Sequence, residues 1–418
     1  MADTADTAPA PARTRLALVF ASHTATLSLA AVLNALVSWT AFVLITRAFG
    51  LEAAGVAGLA QALIVFAFYF TNLALRAEIL RGQHPEEEYR ALLALRVGAS
   101  LLVLAPLGLL LAANAEAWPY LGAAALVFVV KFFEAVFDIR IGYLQRAERT
   151  GRILAEAAVR LAVIVAAMTA AAYALGALGA TAAATALAFV GLFAVLTRAA
   201  PPRPSRAPGA PAFAEVAGRV LKKGVVFGAA AAATAASAFA VRLVVERMGG
   251  LEATGAVVAC YQFVVLAGIV QAAMAQLVLQ KAAPALAEGR RKAIWLAFAL
   301  LAGLALGLGG GAFFHLAGAP ILALVFGSDM VPHASLLRDL FLAHALVFAM
   351  AMTGALVHAI GAKGALLAGG VGYTAVAAAA CAAVYPTLGL TAVPVGYAVG
   401  AAGALGWYAW VVVRGRGA

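Results

Sequence analysis

The feature that most constrains this chain is a succession of apolar runs, each about twenty residues long, parted by short polar breaks. A helix needs about 20 mainly apolar residues to cross the hydrocarbon core of a bilayer. Cutting the sequence at its charged, proline-rich and glycine-rich breaks predicts twelve such spans. They lie near 24–46, 54–75, 91–113, 118–138, 154–174, 177–197, 222–246, 254–280, 293–316, 337–360, 364–385 and 391–413. Composition agrees: 65% of the residues are hydrophobic and only 11% are charged, with a mean hydropathy of +1.00. A soluble domain carries about 25% charged residues. The expectation is an all-α integral membrane protein.

The chain is basic, with a formal charge of +11 and a pI near 10.0. Such a balance can signal nucleic-acid binding. Here the basic residues fall in short segments between apolar runs, with no basic helix interleaved with aromatics, so nucleic acid is not an expected partner. Alternate segments hold Arg13 and Arg15; Arg76, Arg81 and Arg90; Arg140, Arg146, Arg149 and Arg152; and Arg198, Arg203, Arg206, Arg219, Lys222 and Lys223. The series continues with Lys281, Arg290, Arg291 and Lys292, then Lys363, then Arg414 and Arg416. The opposite set has only Arg47 and Arg247. By the positive-inside rule the richer side faces the cytoplasm. This predicts a multi-pass protein of the cytoplasmic (inner) membrane with both termini inside. Trp118, Trp295, Trp407 and Trp410 lie near predicted span ends, where aromatic belts form.

Residues 1–23 are Ala-, Thr-, Asp- and Pro-rich and read as a disordered cytoplasmic tail rather than a cleaved signal peptide. Residues 198–221 form a Pro- and Arg-rich break that divides the spans six and six. The expected organisation is a first lobe over 24–197, a second over 222–413 and a short tail over 414–418. One nine-residue stretch occurs in both halves: "RAFGLEAAG" at 47–55 and "RMGGLEATG" at 247–255. Each copy joins the first and second span of its half. With six spans per half, both halves enter the membrane in the same direction, so the repeat is parallel, about an axis along the membrane normal. The expected architecture is about twelve helices in two pseudo-symmetric six-helix lobes around a central cavity.

Ionisable side chains inside spans cost on the order of 2.5–3.5 kcal/mol each at a helix centre and need partners or water. The fourth span, "VVKFFEAVFDIR", places Lys131, Glu134 and Asp138 on one helical stripe. That stripe should face a wet cavity. Glu156 and Arg160 follow one turn apart in the fifth span, and Arg96, Arg242, Arg338, Asp339, His344 and His358 are further candidates. Arg96, Arg338 and Asp339 sit close enough to span ends to snorkel. The two histidines suit packing or cavity lining better than metal binding. Cys260 and Cys381 have no CxxC partner and read as small packing residues. No loop carries a nucleotide-binding or hydrolytic signature, so neither an enzyme nor a cofactor or metal is expected.

Several stretches resemble Wzx-type polysaccharide (O-antigen, lipid-linked oligosaccharide) flippases of the MOP superfamily. They are "LITRAFGLEAAGVAGLAQALIVFAFYFTNLALRAEILR" (44–81, with Asn72 and Arg76), "FAVRLVVERMGGLEATGAVVACYQFV" (239–264), "ILALVFGSDMVPHASLLRDLFL" (321–342) and "YPTLGLTAVPVGYAVGAAGAL" (385–405). The chain departs from the family pattern where an Asp-Arg pair is common, having Val241-Arg242, and where a tyrosine is common, having Val257. The resemblance implies alternating-access flipping of a polyprenyl-pyrophosphate oligosaccharide for surface polysaccharide synthesis. Its partners would be the lipid-linked oligosaccharide, the bilayer and polysaccharide polymerase or ligase machinery. Arg76, Lys131, Arg160 and Arg242 are then the candidate head-group site, because fixed cations can replace water around phosphates. Glu134 and Asp138 are candidate ion-coupling carboxylates. Two other functions stand beside this: a MATE-like multidrug or cation antiporter, and a non-transporting membrane partner of a polysaccharide synthase complex.

Overall fold

The structure, a computed structural model, describes residues 12–72, 75–81, 85–198, 213–287 and 292–414. Among these the fold is helical throughout, without strands. The elements are α1 (Ala12–Asn72), α2 (Leu75–Arg81), α3 (Pro85–Leu101), α4 (Leu104–Ala112), α5 (Leu121–Arg146), α6 (Thr150–Leu175) and α7 (Leu178–Arg198). The second half follows with α8 (Phe213–Ala287), α9 (Lys292–Phe326), α10 (Ala334–Ala359), α11 (Lys363–Leu388) and α12 (Ala392–Arg414). Large apolar side chains such as Leu187, Leu316 and Leu324 point outward, as a surface facing lipid requires.

Two elements are far too long for one crossing. α1 has 61 residues and α8 has 75, which at 1.5 Å per residue would be roughly 90 and 110 Å if straight. Each bends sharply at one glycine of the repeated motif. Gly50 has φ 87° and ψ 178°, and Gly250 has φ 81° and ψ −178°, a region that is essentially glycine-only. Contacts establish that the chain turns back there. The carbonyl of Gly58 accepts from Arg242, and a side chain at Gly58 would strike Val258. Arg242 and Val258 flank Gly250 by eight residues each, so both can meet Gly58 only if α8 is a hairpin.

Nine segments are long and apolar enough to span a membrane among the described residues. Three of them run 46, 52 and 52 residues, and each contains a break at a positive-φ glycine: Gly50, Gly250 or Gly389. Dividing those three gives twelve crossings. The predicted third span is broken into α3 and α4, because Pro106 cannot donate to the preceding turn and its ring crowds it. α9 extends to Phe326, ten residues past the predicted end.

The two halves repeat in detail. α5 and α6 have 26 residues each, as do α10 and α11. Glu148 and Gly176 have positive φ, and so do Gly361 and Gly389, each 213 positions later. A 3-10 turn with an internal proline precedes both α5 and α10, with Pro119 and Pro332 at the same offset. The repeated motif itself keeps an offset of 200. Each half builds its own apolar core. One centres on Ile45, Leu126, Phe137, Ile164 and Phe189, the other on Val245, Leu337, Phe341, Tyr373 and Tyr397.

The bends join the halves. A methyl group on Gly55 would meet the Leu251 carbonyl, and one on Gly255 would meet the Leu51 carbonyl. This reciprocal contact sets the two copies of the motif against each other about the pseudo-twofold axis. At the opposite end, Val216 and Val220 of α8 pack on Leu75, Ile79, Leu92 and Ile139. That packing explains why α8 begins at Phe213, inside the segment read as a linker. Likewise α1 begins at Ala12, inside the segment read as a tail. Residues 1–11, 199–212 and 415–418 and the side chain of Asn72 lie outside what the structure describes.

Candidate functional site

A cavity of about 290 Å³ lies where the first arm of α1, the returning arms of α1 and α8, and α2, α5 and α6 meet. α5 supplies Lys131, Glu134 and Asp138, the polar stripe expected from their spacing. α2 adds Arg76 and α6 adds Arg160. Five of the six predicted site residues thus line one cavity. Arg242 does not. It is 2% exposed, donates from Nη1 to the Gly58 carbonyl at 2.7 Å, and stands over the Tyr261 ring at 5.0 Å. It clamps the two halves together beside the cavity.

The carboxylates are already engaged. Lys131 Nζ lies 2.8 Å from Glu134 Oε2, and Ser38 donates to the other oxygen of Glu134. Arg76 pairs with Asp138 at 3.2 Å and donates to Gln145 Oε1 from Nε and Nη2 at 3.1 and 2.7 Å. Glu156, one turn from Arg160, was the natural counter-ion for it. Instead Glu156 is held by Arg140 through two contacts of 2.8 Å and by Arg152 at 2.9 Å.

Arg160 is therefore left without a carboxylate in contact among the described residues. It is 2% exposed, packs over the Phe137 ring at 4.2 Å, and its Nε has no hydrogen-bond partner among them. Trp39 Nε1 and Asn34 Oδ1, in the same wall, are also buried and unpartnered. Native structures leave few buried polar atoms unsatisfied, since each costs about 1–3 kcal/mol. Three such atoms, one of them on Arg160 itself, share this cavity wall.

The sequence reading missed Asn34, Ser38, Trp39, Gln61 and Gln262 as cavity residues. A signal did exist. Ser38 lies twelve positions before Gly50, Gln61 eleven after it, and Gln262 twelve after Gly250. Polar residues equidistant from the two bends must share one depth once the bends are known.

The remaining candidates are scattered. Arg96 is buried, not snorkelling, and donates to the Ala135 carbonyl at 3.0 Å. Arg338 pairs with its neighbour Asp339 at 2.8 Å. His344 is buried against a second cavity, in the other half. Cys260 and Cys381 are both buried and unlinked.

No family model matches the sequence, and no curated protein matches it significantly. Solved structures do match over nearly the whole chain. An inward-facing conformation of a multidrug resistance MATE family transporter of the MOP superfamily is 18% identical, with 91% of this chain and 92% of that one covered and a TM-score of 0.68. An outward-facing conformation of a transporter so described is 17% identical, covering 93% and 94%, with a TM-score of 0.59. The MATE multidrug transporter DinF-BH is 14% identical, covering 94% and 95%, with a TM-score of 0.65. At these identities the likeness is one of fold: the chain has the fold of MATE transporters of the MOP superfamily.

Proposed function

We propose that this protein is an alternating-access transporter that moves a lipid-linked, pyrophosphate-bearing oligosaccharide across the cytoplasmic membrane, with the bends at the external face and the termini in the cytoplasm. The observation that carries this reading is the unpaired Arg160. Lys131 and Arg76 bring two positive charges and Glu134 and Asp138 return two negative ones, so Arg160 leaves the cavity with an excess of one. A phosphate oxygen there would gain a charge-assisted hydrogen bond, and the planar guanidinium suits bidentate contact with it. Trp39 Nε1–H is a second free donor. The polyprenyl tail would stay in lipid at the edge between the halves.

Export of organic cations is the second reading, favoured by the multidrug MATE structures that share the fold. A cation-binding cavity needs a carboxylate to spare, and both cavity carboxylates hold a protein cation.

The deciding experiment reconstitutes the protein in liposomes with a fluorescent undecaprenyl-pyrophosphate sugar in the inner leaflet, beside a parallel efflux assay with a cationic dye. The reading expects appearance of the lipid-linked sugar outside, lost in Arg160→Gln at equal protein level. Dye efflux without lipid movement would establish the second reading instead.

A further inference from the structure

The pseudo-symmetry carries one step more. The second cavity, about 420 Å³, is the mate of the first. At the offset of 213, Lys131 corresponds to His344, Glu134 to Val347, Asp138 to Ala351 and Arg160 to Tyr373, and all four line the second cavity. At the offset of 200, Asn34 corresponds to Thr234 and Ser38 to Ala238, which line it too. The fold thus builds the same site twice. The four charged residues that α5 and α6 bring to the first copy are each replaced in the second by a side chain of another kind, none of them a carboxylate, lysine or arginine. The two cavities share Val265 as a common wall.

The chemistry of this second copy selects its guest. A cation would find no carboxylate in the lining. An anion would find no cation, since Arg242 lies behind Tyr261 with Nη1 on the Gly58 carbonyl. An apolar guest would waste the polar side chains of Thr234 and Gln271 in the lining. His344 is the decisive group. It is 1% exposed, and its Nδ1 lies 2.7 Å from the Leu340 carbonyl. A carbonyl only accepts, so Nδ1 carries the proton and Nε2 is an acceptor. That Nε2 is buried without a partner among the described residues. Tyr261 and Tyr373 line the same wall. Aromatic surface with neutral donors and acceptors, in a volume within the usual range for small-ligand pockets, fits an uncharged polyhydroxylated molecule.

We propose that the second cavity is a saccharide subsite. It holds the glycan of the same substrate whose pyrophosphate sits at Arg160, with a sugar hydroxyl donating to His344 Nε2. This rests on the lipid-linked reading above.

The test compares two cargoes in liposomes: undecaprenyl pyrophosphate carrying a fluorescent oligosaccharide, and undecaprenyl pyrophosphate without sugar. Two variants address the subsite. His344→Leu removes the acceptor. Gly268→Trp fills the cavity from a lining position where an added Cβ meets nothing within 4 Å. Both should slow the glycosylated cargo by about tenfold or more, the effect of leaving one polar group unpaired, and leave the sugar-free cargo unchanged. Arg160→Gln should slow both. Equal loss on both cargoes, or no loss on either, overturns the subsite while the lipid-linked reading stands. Binding of the free oligosaccharide to the detergent-solubilised protein is followed in parallel by tyrosine and tryptophan fluorescence. If the wild type moves neither cargo but binds the oligosaccharide in a His344-dependent way, the lipid-linked reading fails and the saccharide site survives. Absence of both transport and binding overturns both.

Discussion

The contact between the two bends makes a sharp prediction, because two glycines five residues apart should fail for different reasons. A methyl group at Gly55 would press into the Leu251 carbonyl, and one at Gly255 into the Leu51 carbonyl. Ordinary carbon contacts lie near 3.5–4.0 Å, so the bends of the double variant Gly55→Ala/Gly255→Ala must separate by on the order of 1 Å or more. Overpacking of this kind costs roughly 1–3 kcal/mol. Alanine also raises helix propensity by up to about 1 kcal/mol over glycine, but it does so whether the bends touch or not, so that gain cancels between conformers. If the halves rock as proposed, the conformer with touching bends should lose population by about 5- to 150-fold. Spin labels at the exposed Trp118 and Met248, on the two halves near the bends, would report this as a shift to longer distances. Gly50→Ala is the control. Nothing lies within 4 Å of its added Cβ, so its cost is the strained backbone alone, about 1–3 kcal/mol, read as a lower Tm with the label distance unchanged. The reasoning is refuted if the double variant leaves the distances as they were, or if Gly50→Ala lengthens them equally.

Other expectations follow from buried polar groups. Glu156→Gln takes the carboxylate from the buried Arg140, which grips it through two contacts, and should cost about 3–5 kcal/mol and lower the Tm in detergent. Arg338→Ala, at a partly exposed pair, should cost less than about 1 kcal/mol. Arg242→Met removes a charge-assisted bond to Gly58, worth about 1.5–3 kcal/mol, and should loosen the two halves, seen as faster hydrogen exchange around residues 55–62. Trp39→Phe deletes an unsatisfied donor. It should therefore leave stability equal or higher in the empty protein while weakening binding of a pyrophosphate lipid by up to about tenfold, a combination that titration calorimetry and a thermal melt can separate.

Much of the architecture was legible in the residues. Apolar run length marked the crossings, and the repeated Gly-Leu-Glu-Ala-x-Gly marked two places that the fold brings into contact. The stripe Lys131, Glu134, Asp138 did turn toward a cavity, since helical spacing alone fixes which side chains share a face. Partner choice was not legible. Glu156 and Arg160 are adjacent on α6, yet Glu156 turns to Arg140 on α5, and only the crossing of α5 and α6 decides that. The second copy of the site was hidden for a related reason. Its positions hold His344, Val347, Ala351 and Tyr373, which share no chemistry with their counterparts. The correspondence survives around the site rather than in it: the positive φ of Glu148 and Gly176 returns at Gly361 and Gly389, and Pro119 returns as Pro332.

The bond from Arg242 to the Gly58 carbonyl also bears on how the protein is made. The two residues lie 184 positions apart, and at about 5–20 residues per second Gly58 emerges from the ribosome roughly 10–40 s before its partner. A helix carrying an arginine near its middle is costly to leave alone in lipid. It becomes tolerable once an acceptor is already standing there. The order of the halves in the chain is therefore not arbitrary despite their symmetry. The half released first supplies the carbonyl, and the half released second brings the charge that needs it. Transposing the two coding segments would leave every contact of the finished molecule available, but would deliver the arginine to the bilayer first, with nothing to receive it.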